Sequence, residues 1–369
     1  FDFMLKAHEI AKKKLGFTFP NPVVGCIIVN NNKIIAKGIT ASEGRPHAEE
    51  IALRKAGDKA RGSSMYVTLE PCFHNSRNGS CTEQILRAGI KSIFIARYDP
   101  DFRTNKKSIA KLRRNRIEVI DGLTADKTNE LNNFFFHSLK KKRPLVKVKM
   151  AISKDKKIAW ANYNSKWISN SKSRDYAHNI RLKSQAILTT VKTVIKDNPR
   201  LTVRKKNKII KFLPTIIIDR LLKIPLKSKI LKDISKKKII IFTSSKGTKV
   251  EYLKRLGCEI IFMKKQKNKL YNLQTVLKKI YKLKINDILV EAGGIFFTNL
   301  LNSKLVDELH LFNSNIIIGD KGKPFIINNQ LENYRFNQVM RKKFKILINL
   351  FALVFVIFYP IKSSASSYK

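Results

Sequence analysis

The chain has 369 residues, longer than most single hydrophobic cores, so two domains are expected. Its four cysteines are too few for a secreted disulfide framework and fit a reducing cytoplasm, and nothing ahead of the first amphipathic segment reads as a signal peptide. The formal charge of +48 comes from lysines scattered through every segment among isoleucine and asparagine, not from a basic face set with aromatics, which argues against nucleic acid as the main partner.

In chain order, residues 5–15 place apolar side chains at helical spacing opposite a lysine-rich face and stop at Gly16. Pro20-Asn21-Pro22 breaks that pattern. Residues 23–29 read as a buried strand, Asn30-Asn31-Asn32 as a turn and 33–40 as the hairpin partner. Residues 47–56 read as a helix, and 64–69 as a strand delivering Pro71-Cys72 to the next helix start. The helix continues over 81–88, and 93–97 is another apolar strand ahead of Asp99-Pro100. A boundary is expected between 121 and 144, where a helix over 131–139 runs into Lys140-Lys141-Lys142-Arg143-Pro144. A second alternation follows: a strand at 145–152 that alternates apolar residues with lysine, a helix at 171–182, and strands at 186–190, 215–219, 238–243 and 287–291. The last two strands are each expected to follow a helical segment. The expected division is 1–143, 144–345 and a tail at 346–369 that is apolar to 361 and then polar. That apolar run is short for a membrane helix, so a membrane partner is not expected. It reads as a terminal strand pair, a short anchor, or a stretch foreign to the domain before it.

Two short segments carry the chemistry. Pro46-His47-Ala48-Glu49 and the run from Leu69-Glu70-Pro71-Cys72 to Cys81 supply one imidazole, two thiols and one carboxylate. His47, Cys72 and Cys81 would leave one tetrahedral position on zinc open, which marks a catalytic rather than a structural ion. Glu49 would then be the proton shuttle between water and a leaving amine, the wiring of a nucleobase deaminase. The usual signature spaces its cysteines as Pro-Cys-x-x-Cys, whereas here eight residues intervene, including His74, Arg77 and Gly79. The bland reading makes Cys72 and Cys81 buried apolar residues or parts of an all-cysteine structural site. It leaves the order His-x-Glu, Pro-Cys, Cys without a purpose.

In the second half, the strand at 287–291 runs through Ala292-Gly293-Gly294 into an apolar helix at 295–301, a turn that lets backbone N–H groups approach a phosphate or that serves only as a tight connection between strand and helix. No G-x-G-x-x-G fingerprint is present, which disfavours a conventional Rossmann site. Taken together, Thr18 to Cys26, Gly44-Arg45-Pro46-His47-Ala48-Glu49 and Val67 to Cys72 with His74 and Cys81 closely resemble the bifunctional deaminase/reductase family of riboflavin biosynthesis. Ser165 to Ser169, Ala186-Ile187-Leu188, Thr193 to Arg204 and Val290 to Gly294 resemble its reductase half in the same order.

The resemblance implies an α/β chain with a cytidine-deaminase-like three-layer N-terminal domain and a dihydrofolate-reductase-like α/β C-terminal domain. The first would deaminate a phosphorylated pyrimidine with Zn2+, and the second would reduce the ribosyl side chain to ribityl with NADPH, in a homo-oligomeric cytoplasmic enzyme. It places Asn21, His74 and Arg77 at the deaminase substrate. Beside NADPH it places Ala151, Trp167, Thr193, Asp197, Ser244 and the run Gly293, Gly294, Ile295, Phe296, Phe297, Thr298, Asn299. Facing the reductase substrate it places Ser165, Arg181, Leu201, Arg204 and Glu291. The chain departs from the family at Ser153-Lys154-Asp155-Lys156-Lys157, where Lys156 stands for a usual glycine, and at Thr189-Thr190-Val191. Both departures fall near the cofactor's expected place. A deaminase with an inactive second domain, a transfer-RNA-type deaminase and a non-catalytic zinc protein are the competing functions.

Overall fold

In the computed structural model, which describes residues 2–74, 79–162, 171–264, 271–327, 334–341, 344–349 and 352–360, the chain divides after Arg143 into two units. The first unit runs α1 (Asp2–Lys12), β1 (Gly25–Asn30), β2 (Lys33–Ile39), α2 (Ala48–Ala56), β3 (Ser64–Val67), α3 (Cys81–Arg87), β4 (Ser92–Ile95), α4 (Lys107–Arg114), β5 (Glu118–Asp121) and α5 (Ala125–Lys141). Its sheet has the order β2-β1-β3-β4-β5, antiparallel at β2/β1 and β1/β3 and parallel at β3/β4 and β4/β5.

Because side chains alternate across a strand, Cys26 and Ile28 meet α2, α3 and α4 on one face while Ile27 and Val29 meet Met4 and Ala7 of α1 on the other. Both faces of β1 are therefore buried, which explains its unbroken apolar run. The helix expected over 5–15 stops earlier, at Lys12, and the chain leaves it through turns in which Lys13 and Lys14 bond three residues back.

The second unit runs β6 (Leu145–Ile152), β7 (Lys157–Ala159), α6 (Ser171–Leu182), β8 (Ala186–Thr190), α7 (Val191–Asp197), β9 (Thr202–Lys205), β10 (Lys208–Phe212), β11 (Thr215–Ile218), β12 (Ile239–Thr243), α8 (Thr248–Arg255), β13 (Glu259–Phe262), α9 (Leu273–Lys282), β14 (Asp287–Val290), α10 (Gly294–Asn302), β15 (Glu308–Asn313), β16 (Lys323–Pro324), β17 (Tyr334–Arg341), β18 (Phe344–Asn349) and β19 (Ala352–Pro360). Ten strands form one sheet in the order β13-β12-β11-β8-β14-β6-β15-β19-β18-β17. It is parallel from β13 to β19 and closes with two antiparallel pairs. Leu188, Ile240 and Ile288 pack with α9 and α10, whereas Ile187, Ile217 and Ile241 pack with α7 and α8, so these strands too are covered on both faces.

One expectation changes. A short 3-10 turn at Leu231–Asp233, not a helix, comes before β12, although α9 does precede β14. Of the readings of the apolar tail, the terminal strand pair is the one found: β18 and β19 pair antiparallel, with β19 parallel to β15, and residues 361–369 lie outside the described residues.

Candidate metal centre and candidate cofactor cavity

A glycine sets the first site. A Cβ at Gly38 of β2 would lie 1.9 Å from the Ala48 carbonyl oxygen, so only glycine lets α2 rest this closely on the sheet. That contact fixes the first turn of α2, where His47 is the N-cap in extended conformation and Glu49 follows inside the helix. Gly44, at φ +90°, leaves the space where its Cβ would stand to the Asn21 side chain, which thereby sits against the loop leading to His47. From the end of β3 an irregular stretch carries Cys72 to the start of α3, where the Thr82 hydroxyl donates to the Cys72 carbonyl at 2.9 Å. Ser80 caps that helix by accepting the Glu83 N–H at 3.2 Å, which makes Cys81 its first residue. Cys72 itself stands in the loop, not at a helix start.

One ligand atom each of His47, Cys72 and Cys81 lies within 4.8 Å of the others. His47 Nδ1 is 3.2 Å from Cys81 Sγ, and the Cys81 N–H donates to Cys72 Sγ at 3.3 Å. Cys72, Cys81 and Glu49 are all buried. The Cys81 thiol, hydrogen-bonded to Cys72, holds Cys72 below the usual thiol range, and the same bond raises Cys81. Two thiolates this close repel unless a cation lies between them, and a divalent ion would ionise both. Burial lowers His47, but its hydrogen bond to Cys72 and the charge of Glu49 outweigh that and raise it. Burial raises Glu49, which suits a group that must take up and release a proton. One nitrogen and two sulfurs fit zinc with a position to spare.

His74, two residues after Cys72, has a buried Nδ1 with no hydrogen-bond partner among the described residues. Arg77 lies outside them. Sequence reasoning assigned no task to Glu70, yet its buried carboxylate accepts the Asp99 N–H at 3.1 Å, the Lys106 N–H at 3.0 Å and the Ser108 hydroxyl at 2.7 Å. It ties the loop after β4 to the segment carrying Cys72. Burial pushes Asp99 in that loop up to about 7. An acid directly behind an apolar strand was the signal for Glu70.

In the second unit a cavity of about 620 Å³ opens at the C-terminal ends of β6, β8 and β14. From β8 the chain goes to β11 on one side, and from the adjacent β14 it goes past β6 to β15 on the other, so the cavity marks a topological switch point. It is lined by Ala151, Arg181, Thr193, Asp197, Leu201, Glu291, Gly293, Gly294, Ile295, Phe296 and Asn299. Phe297 and Thr298 do not reach it. Phe297 stacks on Phe325 in the core, and the Thr298 hydroxyl donates to the Gly294 carbonyl while accepting the Ile327 N–H, because a helix can turn only part of its circumference to one cavity. Ser244 sits after β12 and donates to the Arg220 carbonyl at 3.0 Å; Arg204 is exposed and gives its N–H to His178 Nδ1. Neither lines the cavity, and Ser165 and Trp167 lie outside the described residues.

Gly293 caps α10 without a side chain, and a Cβ there would meet nothing within 4 Å, so the helix N-terminus is bare where a phosphate would approach. Arg181 forks onto Glu291 at 2.5 and 2.9 Å. Burial opposes that charge, but Arg181 prevails and holds Glu291 down to about 2. Lys149 also lines the cavity, 4.0 Å from Glu291, with burial lowering its ammonium; sequence reasoning missed it. The signal was a lysine in an otherwise apolar strand, which reads as solvated only if that strand has an exposed face. β6 has none, and its other lysine, Lys147, is buried against Asp287 at 2.7 Å. At the two departures, Lys156 keeps its turn with φ +62°, its N–H donating to the Ser153 carbonyl at 3.0 Å. Thr190 is extended, a conformation that needs no glycine.

Residues 2–97 match the family model described as the cytidine and deoxycytidylate deaminase zinc-binding region, and 144–346 match that of the RibD C-terminal domain. A riboflavin biosynthesis protein RibD of Aquifex aeolicus is 38% identical over 325 residues, covering 86% of this chain and 88% of that protein. Among solved structures, RibD of Acinetobacter baumannii is 32% identical, covers 94% of this chain and 93% of its own, and superposes with a TM-score of 0.81. A Thermotoga maritima structure described as a diaminohydroxyphosphoribosylaminopyrimidine deaminase/5-amino-6-(5-phosphoribosylamino)uracil reductase is also 32% identical, with 94% of each chain covered and a TM-score of 0.77.

Proposed function

The chain belongs to the RibD family of bifunctional riboflavin biosynthesis enzymes, and we propose that it deaminates diaminohydroxyphosphoribosylaminopyrimidine in its first unit and reduces the resulting 5-amino-6-(5-phosphoribosylamino)uracil in its second. The observation that carries this is the His47, Cys72 and Cys81 donor set gathered within 4.8 Å beside a buried Glu49.

For deamination, His47, Cys72 and Cys81 would hold zinc, which supplies Lewis acidity that makes water a nucleophile near neutral pH. The Glu49 carboxylate takes a proton from the attacking water and returns it to the departing amino group, and its burial raises its affinity for that proton. His74, with a free ring nitrogen facing no partner among the described residues, and Asn21 would orient the pyrimidine. Arg77 would meet the substrate from the inter-cysteine loop.

For reduction, NADPH supplies the hydride. The chain's task is placement: Gly293 and Gly294 at the bare start of α10 would receive a phosphate, with Ala151, Thr193, Asp197, Ile295, Phe296 and Asn299 around the cofactor. Arg181, Leu201, Glu291 and Lys149 would hold the sugar phosphate and exclude water. Arg181 suits this because its guanidinium is held by Glu291 in one plane.

Four buried, unpaired cysteines support a reducing cytoplasm, and among the described residues no helix is long and apolar enough to cross a membrane. A homo-oligomer belongs to the same reading, and sedimentation would test it. The decisive experiment incubates zinc-loaded protein with the diaminopyrimidine, with and without NADPH, and follows product mass. Amino-to-oxo conversion without NADPH and a further two-hydrogen gain with it are expected; no conversion at all would sink the assignment.

A further inference from the structure

The wall of the cavity between α7 and β9 is a short stretch whose residues face alternate ways. Asp197, Pro199 and Leu201 line the cavity, while Asn198 and Arg200 point away from it. Behind the wall lies the irregular segment before β12, and it grips both outward residues. Asn198 Oδ1 accepts the Lys229 N–H at 2.8 Å. Arg200 Nε donates to Asp233 Oδ2 at 3.0 Å and its Nη2 donates to Oδ1. Lys237 Nζ donates to the Arg200 carbonyl at 2.6 Å.

Asp233 is 3% exposed and Lys237 6%, so a carboxylate and an ammonium are buried here, outside the cavity, the first bonded to the Arg200 guanidinium and the second to the Arg200 carbonyl. Such burial is expensive unless it secures something. What it secures is an unfavourable backbone next to the ordinary left-handed C-cap Asn198: Leu201 has φ +51°. A leucine in the left-handed region persists only where its surroundings over-determine it. At the far end, the Thr202 carbonyl accepts Arg181 Nη1 at 2.9 Å, so the corner is held between the Asp233–Lys237 clasp and the Arg181–Glu291 pair.

We propose that Asp233 and Lys237 are positioning residues for the reductase: they touch no ligand, but they hold Leu201 and Asp197 into the cavity and thereby set the affinity for the sugar phosphate. The clasp acts only through the wall. This inference rests on the reading of the cavity as the reductase site.

The test uses the full chain, with the deaminated uracil supplied directly. Lys237→Met keeps the length of the side chain and removes its donor; Asp233→Asn keeps the shape and weakens the grip on Arg200. Both are expected to raise KM for the uracil, Lys237→Met by between about 10- and 100-fold and Asp233→Asn by less, with kcat changed little. Lys237→Arg, which restores a charged donor, should recover part of the loss, and deamination by the same molecules should match the parent. If the parent reduces the uracil but both variants keep its KM, the positioning role is overturned. Equal loss of activity and melting temperature without a KM change would also overturn it, by showing a purely structural pair, and near-isosteric Asp233→Asn decides the matter should Lys237→Met not fold. A parent that binds no NADPH and reduces nothing would instead remove the reading of the cavity, and this inference with it.

Discussion

On the proposed reading, the first unit gathers its chemistry into four side chains, His47, Glu49, Cys72 and Cys81, whereas the second spreads its site over a cavity of about 620 Å³ whose charged lining includes Arg181, Glu291 and Lys149. The difference follows from who performs the reaction. Hydrolytic deamination needs an ion and a proton carrier that the protein must supply or hold, so a few donors must converge. Hydride transfer belongs to the cofactor, so the second unit needs shape, phosphate sites and walls that do not move. Loss of one atom should therefore be near-fatal in the first unit and graded in the second.

The sharpest break would come from Glu49→Gln. It should lower deamination by about 10³-fold or more while zinc content and reduction of supplied uracil stay at parent levels; metal analysis with both assays would check this. Removal of the ion with a chelator should abolish deamination alone, and added zinc should restore it; a parallel loss of reduction would erase the contrast between the two sites.

Next in size is Glu291→Ala, which leaves Arg181 buried without its partner. It should cost roughly 3–5 kcal/mol in the second unit and remove reduction, read by chemical denaturation, with deamination kept. The same pair predicts a pH dependence. Glu291 lies at about 2 in the folded chain, below the ordinary glutamate value, so its stabilising contribution is complete above about pH 4.3 and is lost as pH falls towards 2. Glu291→Gln should flatten stability across that window relative to the parent.

The smallest effect is expected at Lys156. Its left-handed backbone strains a lysine and suits glycine, so Lys156→Gly should stabilise the second unit by roughly 0.5–1 kcal/mol without altering deamination. A destabilised variant would show that the lysine itself holds the turn.

The candidate metal centre was legible because its donors sit on short, locally determined pieces of chain: a helix start at His47, the loop after β3 at Cys72, a helix start at Cys81. The cavity was less so. Phe297 and Thr298 belong to the same glycine-headed run as Ile295 and Phe296, and only the packing of α10 against Phe325 turns them into the core. Elements with one apolar residue per turn were missed as well. α4, where Ile109 and Leu112 are buried among basic residues, and β5, only four residues long with no fully buried side chain, carry too little pattern to stand out among so many lysines.

The sequence by itself determined the two α/β alternations, the break at Arg143 and the donor set, because periodicity, turn residues and ligand type are properties of neighbouring positions. Only the tertiary structure decided that Lys149 faces a cavity while Lys147 pairs with Asp287, that the apolar tail becomes two strands of one sheet, and that Asp233 and Lys237 stand behind Leu201. Those outcomes depend on which strand lies beside which, and strand order is settled by long-range burial that no local spacing encodes.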